Sequence, residues 1–243
     1  MIELATFLIL SAGVFAGAFV SGMAGFAFSA VAGAMLLHVL PPTEAVPLMM
    51  ICSIAVQSIS LVVLRKHLAW RGSLTLIVGG ALGIPPALFL LQHADVTAFR
   101  VGFGIFLALY AAYMIFRPLA AGLRNTGGRA HEAAIGFAGG LLGGLTAMPG
   151  ALPTIWCDMR GMPKDQQRGL VQPFIAAMQV FALVLLVGQN GVSNKVLLNA
   201  ILALPALALG ATLGIALFGK MNDVLFRRTI LTVLFAAGLG LVL

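Results

Sequence analysis

Residues 133–157 read AAIGFAGGLLGGLTAMPGALPTIWC. The stretch carries no charge and is long enough to cross a bilayer once, at ~1.5 Å per residue over a ~30 Å hydrocarbon layer. Its middle, however, is Gly143-Gly144-Leu145-Thr146-Ala147-Met148-Pro149-Gly150. Glycine and proline break the helical hydrogen-bond ladder. Inside a membrane a broken ladder is tolerated only within protein or beside a cavity. Whether this stretch crosses, or dips in and returns, sets the side of everything that follows it.

Loop charge separates the two. Four basic loops carry Arg65, Lys66 and Arg71; Arg117, Arg124 and Arg129; Arg160, Lys164 and Arg168; and Lys220, Arg227 and Arg228. A single crossing at 133–157 divides the basic residues seven to a side and specifies no orientation. A hairpin puts 12 Lys/Arg on one face and leaves only Arg100 and Lys195 opposite. The positive-inside rule prefers the hairpin, entered from the cytoplasm.

The rest of the chain fits a membrane protein. Of 243 residues 61% are hydrophobic and 9% charged, and mean hydropathy is +1.08. A soluble domain is about a quarter charged. A cytosolic enzyme, a disordered chain and a disulfide-stapled secreted domain are therefore excluded. The apolar runs are continuous, unlike the alternation over about ten residues of an outer-membrane barrel. The net charge of +7 lies in loops, so it reads as orientation charge and not as a nucleic-acid patch.

Spans are predicted at 45–64, 72–91, 99–116, 169–188, 196–219 and 224–243, with Arg100, Arg227 and Arg228 snorkelling at their ends. Residues 4–40 are too long an apolar run for one helix and are interrupted at Ser21-Gly22-Met23-Ala24-Gly25. The N-terminus has Glu3 and no basic n-region, so it reads as a retained first segment and not a cleaved signal.

The two interruptions belong to a repeat. Gly22, Pro42 and Glu44 precede Gly143, Pro163 and Asp165 by 121 residues. Asp95-Val96 and Arg100 precede Asp223-Val224 and Arg228 by 128. The N-terminal repeat (1–116) is a hairpin at 4–40 plus three spans. The C-terminal repeat (133–243) is a hairpin at 133–157 plus three spans, and residues 117–132 form a cytoplasmic linker. Three is odd, so the halves have opposite orientation. The predicted fold is all-α and polytopic, built from two inverted repeats, a recurring plan of secondary transporters. The first hairpin enters from outside, and whether its arms cross fully is left open.

At each interruption a short helix restarts, near Phe26 and near Gly150. Unpaired N–H groups and about half a positive charge collect there. Two such ends facing each other at mid-membrane would attract an anion without a buried lysine. The candidate residues are Gly22, Met23, Ala24, Gly25 and Phe26 in one half and Thr146, Ala147, Met148, Pro149 and Gly150 in the other. Pro149 suits a first helical position, and glycine lets a ligand approach the backbone. The same glycines, with Gly143 and Gly144, also suit helix packing of the small-xxx-small kind.

Ser53, Gln57 and Ser60 share one helical face, as do Gln172 and Gln179. Under the repeat Gln57 falls within one residue of Gln179. These amides could ligate an oxyanion or join helices by hydrogen bonds. Arg168 stands at an entrance, as a guide for an anion or as an orientation charge. Glu44 and Asp165 read as first-turn residues favoured by the helix dipole. No Asp, Glu, Lys or Arg sits mid-span, which argues against a cation pump or a carboxylate proton relay.

His38, His67, His93 and His131 lie near span ends without metal spacing. Cys52 and Cys157 read as small packing residues. No catalytic constellation, nucleotide fingerprint, metal site or cofactor is predicted.

The chain resembles the sulfite exporter (TauE/SafE) family. The resemblance lies in VSGMAGFAFSAVAGAMLLHVLPPTEAVPL (20–48), CSIAVQS (52–58) and GFAGGLLGGLTAMPGALPTIWCDMRGMPKDQQRGLVQPFIAAMQ (136–179). It covers nearly the whole chain. It is most specific from Met162-Pro163-Lys164-Asp165 through Gln172-Pro173-Phe174 to Gln179. It implies a bacterial inner-membrane transporter of sulfite, thiosulfate or organosulfonates. Many members carry denser glycine runs at both tips than Met23-Ala24-Gly25-Phe26 and Ala147-Met148-Pro149-Gly150, which leaves the particular anion open. Only the resemblance points to sulfur.

The expectation is therefore a secondary transporter of a small anion, working by alternating access in the inner membrane with its basic loops cytoplasmic. Its partners are a small anionic solute and the bilayer, without nucleic acid. A homo-oligomer is left open. The rivals are a permease or channel for a neutral or cationic solute, and an intramembrane enzyme using Cys52 or Cys157 with a histidine.

Overall fold

The computed structural model describes residues 4–24, 27–63, 69–116, 128–189 and 192–218, with Thr232, Phe235, Gly238 and Leu239. Among the described residues every regular element is a helix. They are α1 (Leu4–Ala24), α2 (Phe28–Val39), α3 (Pro42–Val63), α4 (Trp70–His93), α5 (Val96–Phe116), α6 (Arg129–Thr146), α7 (Ala151–Met159), α8 (Lys164–Gly188) and α9 (Asn194–Phe218). Six of these, α1, α3, α4, α5, α8 and α9, are long and apolar enough to cross a membrane. The chain is a multi-pass membrane protein. Leu74, Val78, Leu82 and Phe89 of α4 are 58% to 68% exposed, an apolar ridge of the kind a helix turns toward lipid.

Five predicted spans each fall on one helix, which starts a few residues earlier than the apolar run. Local caps explain the early starts. Asp95 Oδ1 accepts the Ala98 N–H at 2.8 Å ahead of α5, and Ser193 Oγ accepts the Val196 N–H at 3.3 Å ahead of α9, both N-cap bonds. Pro42 opens α3 where a missing N–H costs nothing. The predicted span 224–243 lies outside the described residues apart from four positions. Most of the predicted linker does too, but α6 begins at Arg129, inside it. Gly128 O accepts from both His131 and Glu132 N–H, closing the first helical turn four residues early.

Both interrupted stretches are a long arm followed by a short one. The short arms, α2 with 12 residues and α7 with 9, span only ~18 and ~13 Å, too little to cross alone. Each break contains an alanine in the left-handed region, Ala27 at φ 74° and Ala147 at φ 56°. The region costs an L-residue roughly 1–2 kcal/mol. Ala147 N–H returns to Gly143 O at 2.9 Å, which terminates α6. At the far end of α7, Gly161 at φ 64° lets Met162 N–H reach Cys157 O at 3.1 Å, a Schellman-type stop.

The chain forms two compact units. The first comprises Met1–Cys52, Ala94–Arg117 and Ser193–Leu243; the second comprises Ser53–His93 and Pro118–Val192. Each draws on both halves of the sequence, and α3 contributes to both.

In the first unit α1 packs on α9. A Cβ on Gly210 would land on the carbonyl oxygen of Phe15, one on Gly214 on that of Phe19, and one on Gly22 would sit 2.8 Å from that of Ala211. In the second unit α4 packs on α6 by the same pattern. A Cβ on Gly79 would land on the carbonyl oxygen of Ala133, one on Gly83 on that of Phe137, and one on Gly140 on that of Gly80. Every contact of the first set maps on the second by adding 118 residues on one helix and removing 131 on the other. This equivalence pairs Gly22 with Gly140, nearly one turn from the sequence match to Gly143. Small residues let two backbones touch, which is how helices bind in lipid.

Apolar side chains fill what remains of each unit. Phe28, Leu36, Leu48 and Met49 are buried in the first, where Phe103 covers Gly33; Leu76, Ile84, Leu88 and Phe174 are buried in the second.

Candidate functional site

The second break is where polar side chains gather. Ser53, Gln57, Gln172 and Gln179 are each 2% to 3% exposed, within the membrane-spanning segments of α3 and α8. Gln179 Nε2 donates to Ser53 Oγ at 2.8 Å and to Ala147 O at 3.3 Å. One amide thus ties α8 and α3 to the left-handed residue that ends α6. Gln57 is buried one turn along α3 from Ser53, and its Oε1 has no hydrogen-bond partner; nor has the Oε1 of Gln179. Gln172 is buried two turns before Gln179 on the same face. Thr146 Oγ1 donates back to Leu142 O at 2.7 Å. All the cluster's side chains are neutral, so its polarity comes from amides, hydroxyls and peptide groups.

The short arm is held from several sides. Gln167 Nε2 of α8 donates to Thr154 O at 2.9 Å. Arg160 lies 4.7 Å from the Trp156 ring centre and 3.7 Å from Glu132 of α6. Pro149 is not the first helical residue expected of it. It follows Met148 in a turn closed by Ala151 N–H to Met148 O at 3.4 Å, the second turn position, where proline's fixed φ is favoured. The reversal after Ala147 takes up these residues, so α7 starts only at Ala151. Met148 and Gly150 are buried here.

The glycines of this break are in packing contacts. A Cβ would sit 2.7 Å from Pro149 Cβ at Gly143, 2.6 Å from Ala87 Cβ at Gly144 and 2.5 Å from the flexible end of Ile175 at Gly150.

In the first unit Gly22 is packed on α9, and Ser21 and Met23 are buried. Ala24 ends α1, while Gly25 and Phe26 lie outside the described residues. α2 restarts at Phe28, after left-handed Ala27. Arg168, partly buried on α8, is engaged in an interaction of its own. Glu44, read as a dipole residue, also meets Lys195 at 2.9 Å, a pair between the starts of α3 and α9 that the sequence reading missed. It also missed Asn199, 2% exposed with an unpartnered Oδ1. The signal was present, since Asn199 and Thr212 are the only polar residues between 196 and 219. Cys52 and Cys157 are buried free thiols.

Residues 9–241 match the family model described as Sulfite exporter TauE/SafE. No curated protein matches the chain, and no solved structure does.

Proposed function

The chain belongs to the sulfite exporter TauE/SafE family, and from that premise we propose that it is a secondary transporter moving a small sulfur oxyanion across the inner membrane by alternating access. Sulfite, thiosulfate and organosulfonates are the candidate solutes. The family match over residues 9–241 carries the reading. A buried polar cluster at a helix break supports it, because such sites in transporters bind solutes through peptide dipoles and side-chain amides. Ser53, Gln57, Gln172, Gln179 and residues 146–150 are the proposed solute contacts. The amides at the start of α7 supply the positive end of a helix dipole, and Gln179 holds the break in place. Basic loops on the cytoplasmic face set the proposed orientation.

The test is counterflow in proteoliposomes. Radiolabelled sulfite should enter vesicles preloaded with unlabelled sulfite, saturably, and be competed by thiosulfate or a sulfonate. Uptake of a neutral or cationic solute, with no exchange of any of these anions, would reject the substrate class. Non-saturable flux would reject a carrier.

A further inference from the structure

We infer that, when the solute is sulfite, the site at the second break binds it in the protonated, singly charged form that carries its own O–H, so that any proton moved with sulfite rides on the solute. The inference rests on the proposed function above and specifies which form of the anion is recognised.

The argument starts at Gln179. Its carboxamide has one end with two N–H donors and one end that only accepts. A peptide carbonyl also only accepts, so the end facing Ala147 O must be the nitrogen. That contact at 3.3 Å removes the usual ambiguity between amide oxygen and nitrogen. The second N–H is used on Ser53 Oγ at 2.8 Å. The remaining end is therefore the acceptor Oε1, which is buried without a donor. Gln57 adds a second buried, unpartnered Oε1 one turn along α3 from Ser53.

A fully deprotonated oxyanion offers only more acceptors and leaves these oxygens unsatisfied and repelled. A hydrogen oxyanion presents its O–H to Gln179 Oε1. Its charged oxygens then meet the start of α7, where Ala151 N–H is held by Met148 O, Thr154 N–H by Gly150 O and Pro153 has none, so that the Leu152 N–H and the positive end of the helix dipole are what this end offers. Charge matching points the same way. The helix end supplies about half a positive charge, and the cost of taking an ion out of water grows as the square of its charge, about four times larger for a dianion.

The cluster's own described side chains are amides and hydroxyls, which take up no proton between mildly acidic and mildly alkaline pH. On the elements packed round it, Arg168 of α8 is eleven residues before Gln179, ~16 Å along the helix. Cys52 of α3 and Cys157 of α7 are buried free thiols, and Glu44 at the start of α3 is paired with Lys195. Arg129, His131 and Glu132 start α6, Asp158 is near the end of α7 and Arg160 follows it, Lys164 and Asp165 start α8, and Arg71 and His93 lie at the ends of α4.

The test uses the purified full-length protein in detergent and calorimetric titration from mildly acidic to mildly alkaline pH. The probes are sulfite and methanesulfonate, the second a monoanion of similar size with no exchangeable proton. Affinity for total sulfite should be flat while hydrogensulfite dominates, then fall about tenfold per pH unit once it deprotonates. Methanesulfonate should bind about tenfold or more weakly, without pH dependence. A sulfite affinity that is flat or rises with pH overturns the inference, as does equal binding of methanesulfonate. A parallel fall for both probes places the titration on the protein and overturns it as well. In each of those cases an oxyanion still binds and the transporter reading stands. If no oxyanion binds at all, that reading falls and this one falls with it.

Discussion

Replacing Gly22 by alanine distinguishes a packing glycine from a ligand-approach glycine by the sign of the stability change. The added Cβ would sit 2.8 Å from Ala211 O, 3.1 Å from Ile215 N and 3.2 Å from Gly214 Cα. All three are backbone atoms of α9, so no side chain can swing aside. Reaching ordinary contact requires α1 and α9 to separate by roughly half an ångström, and overpacking of that kind costs about 1–3 kcal/mol. Alanine's better helix propensity returns up to about 1 kcal/mol. The net expectation is a loss of about 1–2 kcal/mol, or a fall of about 2–8 °C in Tm for a chain of this size. Gly102 is the control. It lies mid-helix in α5 with nothing within 4 Å of its would-be Cβ, so Gly102→Ala should raise Tm by a few degrees. Tm is read by thermal unfolding in detergent. If Gly22→Ala matches or exceeds the wild type, α1 and α9 do not touch at Gly22 and the packing assignment is refuted.

Three further outcomes follow from the second unit and the buried thiols. Gln179→Glu replaces a two-hydrogen donor with a carboxyl that has at most one, so one of the bonds to Ser53 and Ala147 is lost. Anion affinity should fall about tenfold or more, and an unchanged titration would remove Gln179 from the site. Ala147→Gly relieves a left-handed alanine and should raise stability by about 1 kcal/mol, read as a Tm increase of ~2–4 °C; a decrease would mean that residue 147 is not left-handed in solution. Cys52 and Cys157 should resist an impermeant maleimide until the protein is denatured, and labelling of the folded protein at either would contradict their burial.

The helix positions were legible because they depend on local composition. Runs free of charge, bounded by arginine, lysine and proline, marked α3, α4, α8 and α9 to within a few residues. The breaks were legible from Gly143–Gly144 and Pro149. What could not be read was which helix faces which. The glycine pairs Gly79 and Gly83, and Gly210 and Gly214, stand in the sequence at one-turn spacing, yet their partners lie many residues away and only the folded chain identifies them. The left-handed residues were hidden for another reason. Ala27 and Ala147 are of the residue type most favourable to helix, so neither residue's own type shows that it is the left-handed position within its break. Among the polar residues, helical faces grouped Ser53 with Gln57 and Gln172 with Gln179, but the bond joining the two faces needed coordinates. Lys195 met Glu44 across 151 residues of chain for the same reason.

The alanine at 147 has one more consequence. Glycine could wander over several dihedral basins at such a bend, whereas a methyl group confines it to one narrow well. The carbonyl of that residue is the one Gln179 grips, so the confinement passes to the amide and, on the proposed function, sets its oxygen before the solute arrives. Less disorder then remains to be quenched on capture. A mutant bend of glycine would fold more comfortably and recognise its cargo with a looser hand.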